Sequence, residues 1–197
     1  MRKVYALALA LALGLFVAAC GDGGKAAADA AIKAVETAFA EIQADALQYV
    51  PDQAKGVQDA IAAVKDLFTK GEFTKALEET KGLTAKIAEL KDAAAAKKAE
   101  LTKSWDTLNT GMPDVLKSIQ AKIDELSKAK KLPANMTKDS FAAAKTAFDA
   151  VNQAWAQAGD VFKSGKLVDA VAMAQKVKTQ VGDVLKSLGM ELPAFLQ

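Results

Sequence analysis

The stretch "LTKSWDTLNTGMPDVLKSIQAKIDEL", Leu101 to Leu126, decides how many helices this chain has. Leu101, Trp105 and Leu108 recur at steps of four and three, the period of one helix face. Leu116, Ile119, Ile123 and Leu126 do the same further on. Between them stands "NTGMPD", Asn109 to Asp114. Glycine weakens a helix and proline removes a backbone donor, so this segment reads as a break, with Pro113 in the first turn of a new helix.

The same period fills most of the chain. Ile32, Val35, Phe39, Ile42, Ala46 and Tyr49 define one face, and Ala54, Val57, Ile61, Val64 and Phe68 a second. Leu83, Ile87, Leu90 and Ala94 lead into Leu101, with weak points at Gly82 and at Lys97-Lys98. Phe141, Ala144, Phe148, Val151, Trp155, Ala158 and Phe162 define a fifth helix, and Leu167 to Leu188 a sixth. Period-two alternation is missing, so strands are not expected. The expectation is an all-α fold: an elongated antiparallel bundle of about six helices with coiled-coil-like packing.

The punctuation agrees with this. Pro51 suits a helix start, Gly71 and Gly165 suit helix ends, and Thr137 suits an N-cap. Two weak internal similarities stand out. "PDQAKGVQDAIAAV" from Pro51 lines up with "PDVLKSIQAKIDEL" from Pro113, and "DLFTKGEFTKAL" from Asp66 with "DVFKSGKLVDAV" from Asp160. Duplicated helical hairpins and chance likeness of Ala/Lys-rich helices both remain open at this point.

Composition excludes much chemistry. The chain has no histidine and one cysteine. Imidazole catalysis, His-ligated zinc or haem, intramolecular disulfides and cysteine-held clusters are therefore out of reach. The carboxylate pairs Glu78-Glu79 and Asp124-Glu125 are helix neighbours, which diverge by about 100° and so do not converge on one substrate atom. Ser127 and Ser164 lie near lysines but lack any Gly-rich elbow. No catalytic, cofactor-binding or metal residues are assigned, and no enzyme is expected. Trp105, Trp155, Phe68, Phe141, Phe148 and Phe162 fit a bundle core better than a ligand pocket. The tail "GMELPAFLQ", Gly189 to Gln197, is expected to fold back over a bundle end.

The N-terminus speaks to location. "MRKVYALALALALGLFVAA" has a basic start, an apolar run and small residues at its end, the layout of an export signal. It ends in "VAAC", Val17 to Cys20, which resembles the lipobox of bacterial lipoproteins. That resemblance covers residues 1–20 only, with Val17 where leucine is commonest. It implies a signal peptide over residues 1–19 and palmitate-type acylation of Cys20. Residues 20–29 then read as a lipidated flexible tether and residues 30–197 as the helical domain. Without Arg2 and Lys3 the 26 basic residues become 24, equal to the 24 acidic ones, so no nucleic acid partner is expected. By the same resemblance, Gly21 rather than Asp after the cysteine favours the outer membrane of a Gram-negative envelope, facing the periplasm or the surface. The expected role is non-enzymatic: a lipid-anchored structural or protein-binding module with an envelope protein partner. The alternative is a carrier or sensor holding an apolar ligand between helices.

Overall fold

A computed structural model describes residues 24–197. These residues form five α-helices and a final 3₁₀ turn, with no strand among them: α1 Lys25–Tyr49, α2 Pro51–Thr69, α3 Phe73–Lys128, α4 Lys138–Lys163, α5 Leu167–Ser187, then Ala194–Leu196.

The all-α expectation holds, but the number of helices does not. α3 runs 56 residues without interruption through Gly82, Lys97-Lys98 and "NTGMPD", so the expected third and fourth helices are one. At 1.5 Å per residue it is ~84 Å long. Its apolar stripe explains the continuity. Leu108, Met112, Val115 and Ile119 are all buried and keep the four-three step across the supposed break. Pro113 deprives the Asn109 carbonyl of its helical donor. Both residues are exposed, so water can take the place of the missing bond. Packing of the stripe thus overrides the local breaker.

The stripe on α3 serves two cores in succession. Ala76, Leu83, Ile87 and Leu90 pack with α1 and α2, around Ile32, Val35, Phe39, Val57 and Val64. From Ala94 onward α3 packs instead with α4, α5 and the tail. α1 runs parallel to α3: Gly24 lies against Phe73, and Asp45 pairs with Lys98 at 3.4 Å. α5 takes up the same flank further along, where Gln175 donates to the Ser104 hydroxyl at 3.0 Å. The end of α1 meets the start of α5, the Gln48 amide donating to the Gly165 carbonyl at 3.4 Å. α2 and α4 return antiparallel.

The helix starts and stops follow their sequence signals. Pro51 opens α2. Thr137 and Ser140 cap α4 reciprocally, each side chain accepting from the other's backbone N–H at 3.0 Å. α1 begins at Lys25, so residues 25–29, expected in a flexible tether, are its first turn.

The two similarities in sequence fare differently. Asp66–Leu77 and Asp160–Val171 form the same turn. Lys70 N–H and Ser164 N–H donate to the carbonyls of Asp66 and Asp160. Glu72 N–H and Lys166 N–H reach back to those of Leu67 and Val161. Each turn has its glycine in the left-handed region, Gly71 at φ 76° and Gly165 at φ 83°. The other pair shares no structural place: Pro51 opens a helix and Pro113 lies inside one.

Alanine at Gly165 must adopt a conformation that costs an L-residue about 1–2 kcal/mol. Gly165→Ala should therefore lower stability by about 1 kcal/mol in urea titration. Gly56→Ala, within α2 with open space around it, should raise it by about 0.5–1 kcal/mol. A shift of the same sign in both would contradict this account of the turn.

Candidate functional site

Cys20 and the whole signal stretch, residues 1–19, lie outside the described residues. What the structure fixes is where the chain emerges beside them. Gly24 takes φ 86° and lies beside Phe73, so the chain enters at the end of the molecule formed by the α2–α3 turn. Five residue steps separate Cys20 from Lys25, which an extended chain spans in at most ~18 Å.

The aromatic residues divide. Trp105 and Phe148 are buried, Phe68, Phe141 and Trp155 are half-buried, and Phe162 is exposed. Trp105 of α3 stacks on two rings of α4: Phe162 with centroids 4.3 Å apart and Trp155 at 5.7 Å. Trp155 and Phe162 are seven residues apart, two turns of one face, so their rings stand ~10.5 Å apart along α4 and admit one flat ring between them. These large side chains hold α4 away from α3. α4 and α5 approach much more closely, through Ala144, Ala158, Ala170 and Ala174.

A trench opens along the outer side of the same pair of helices. Ala143, Ala147 and Ala150 of α4, with Gln180, Asp183 and Ser187 of α5, line an exposed groove of about 440 Å³. A second groove, of about 360 Å³, lies between α2 and α3, lined by Ala60, Ala63, Leu67, Gly82 and Lys86. Both face solvent. The sequence signal for the trench was the run "FAAAKTAFDA", Phe141 to Ala150, which reads simply as good helix. Only the α5 neighbour turns it into a concavity.

The candidate chemical groups do not assemble. Glu78, Glu79, Asp124 and Glu125 are all exposed, and Lys122 pairs with Glu125 at 3.0 Å. Ser164 is spent on the Val161 carbonyl at 2.7 Å. Among the described residues no three Asp, Glu or Cys side chains gather as metal ligands, and every buried side-chain nitrogen and oxygen has a hydrogen-bond partner. The one buried polar side chain among the described residues, Thr80, donates to the Leu77 carbonyl at 2.7 Å. Lys33, Lys70 and Lys75 have raised pKa values, chiefly from hydrogen bonds to Asp29, Asp66 and Glu72, and all three stand in solvent. No described helix is long and apolar enough to cross a membrane.

Comparison with known proteins gives no match to any family model, curated protein or solved structure. The described residues define an all-helical class of fold, two consecutive cores sharing one long helix.

Truncating Trp105 empties the space between two rings. Trp105→Ala should cost about 3–5 kcal/mol. Hydrogen exchange should show the loss concentrated in α4, α5 and residues 101–128. Amides of α1 and α2 should keep near wild-type protection. Uniform loss over all five helices would mean that the two cores do not separate at Ala94.

Proposed function

We propose that this protein is a bacterial envelope lipoprotein, held in a membrane by acyl chains on Cys20, with a non-enzymatic, protein-binding role. The observation that carries the reading is "VAAC" at the end of an export signal, followed within five residues by the first turn of α1. One acyl chain binds a bilayer only marginally, and two or three on one cysteine bind firmly. The short link keeps the α1 end of the molecule within ~18 Å of the anchor. α3 then extends ~84 Å from that end. The helical domain is a spacer, and its packing along the α3 stripe is of coiled-coil type. By the likeness at Gly21, its place is the outer membrane where the organism has one.

The partner is a protein, met on the flank of the distal half. The open α4–α5 trench supports this over the carrier reading, because a groove lined by exposed alanines suits a packed helix better than an enclosed ligand.

Labelling of growing cells with palmitate tests the anchor. Wild type should incorporate label and run as the processed form. Cys20→Ser should lose the label and accumulate unprocessed chain; normal labelling of that variant would end the lipoprotein reading. A photo-crosslinker at Ala147 should capture a discrete envelope protein, and one at exposed Lys55 on α2 should not. Equal capture at both sites would remove the trench as the contact surface.

A further inference from the structure

α3 has its weakest backbone at Gly111-Met112-Pro113. Pro113 supplies no N–H to Asn109, and Gly111, midway between them, gives the helix no side chain to pack. Sharp bends in helices gather at such places. Yet α3 is unbroken here.

What covers this point is the C-terminal tail. Gly189, at φ 69°, ends α5, and Met190 N–H bonds back to the Leu185 carbonyl at 2.8 Å. The chain then crosses to α3 and closes in the 3₁₀ turn Ala194–Leu196. The Phe195 ring lies directly on Gly111: a Cβ built there would stand 2.6 Å from the ring. Phe195 thus occupies the place of the side chain that Gly111 lacks. Leu196 beside it is buried in the distal core.

The grip is of one kind only. The tail's hydrogen bonds run to α5 or to itself: Met190 to Leu185, Leu196 to Pro193, Gln197 to Ala194 and to Leu192. Among the described residues none runs from the tail to α3. Apolar contact alone holds it there, with Phe195 half-buried and Leu192 exposed. Segments with so few ties open at low cost.

We propose that the tail, residues 189–197, is a releasable strap: its Phe195 ring on Gly111 keeps α3 straight, and lifting it turns Asn109–Pro113 into a hinge for the distal tip. α5 ends at Ser187, and Leu185 near its end lines one groove with Val115 of α3. Beyond that level Ile119, Ile123 and Leu126 belong to the same core as Met136, Ala144, Leu188 and Leu196. The segment 114–128 is therefore what would swing.

The test is a distance across the hinge. Thr102 and Ser127 are exposed on α3 and twenty-five steps apart, ~37 Å along a straight helix. Spin labels at Thr102→Cys and Ser127→Cys, in the full chain carrying Cys20→Ser, should give one narrow distance distribution. Phe195→Ala should broaden it and add a shorter component, and so should truncation after Gly189. Adding Pro113→Ala to Phe195→Ala restores the helical donor and should return the narrow distribution. An unchanged distribution in Phe195→Ala overturns the proposal. Broadening that persists in the double variant also overturns it, since the bend would then not lie at Pro113. Circular dichroism close to wild type in Phe195→Ala separates bending from unfolding.

Discussion

Everything in this fold depends on one stripe of apolar side chains along α3. From Ala76 to Leu126 the buried positions advance by fours and threes, with one wider gap between Ala94 and Leu101–Trp105. A stripe that stays on one side of a long helix obliges every partner to lie on that side. No single short helix can cover ~84 Å, so two sets divide the length. α1 and α2 take the first part, α4 and α5 the second. The joint is sealed by Tyr49 and Val50, which come from the α1–α2 corner and pack into the distal core. Lys98 reinforces it, pairing with Asp45 and standing 5.4 Å over the Tyr49 ring.

Helix content and most boundaries were legible because they rest on local chemistry. Pro51, Thr137, Gly71 and Gly165 act through their own backbone preferences, and they act as such in the structure. The continuity of α3 is obscured in sequence because a local breaker signal, Gly111 and Pro113, runs against the periodic one. Met112 and Val115 carry the stripe through "NTGMPD" without a change of phase, and that phase was the readable clue. Proline's cost is modest where its orphaned carbonyl faces water. A fully buried stripe outweighs it.

The candidate sites were legible to different degrees for equally physical reasons. The lipobox-like "VAAC" lies in consecutive residues, so the resemblance can be read without any fold. A groove between two helices is not written in either of them. Ala143, Ala147 and Ala150 look like helix formers, and Gln180 and Asp183 look like solvated surface. Their meeting depends on how closely α4 approaches α5, which Ala144, Ala158, Ala170 and Ala174 allow while Trp155 and Phe162 face Trp105 of α3. Size contrast between two faces of one helix is a relation that no single window of sequence displays.

The corner where α1 ends and α5 begins has a mechanical meaning. Near Ala94 to Leu101 the main chain crosses from one half to the other once, in α3 alone. Along the main chain, tension between the Lys25 end and the far tip would therefore pass through a single helix at that level. A residue pulled from helix to extended chain lengthens from ~1.5 to ~3.4 Å. Yielding of those eight residues would pay out ~15 Å of slack with both cores left folded. The shared helix would thus keep a fixed length under low load and lengthen at this level under high load.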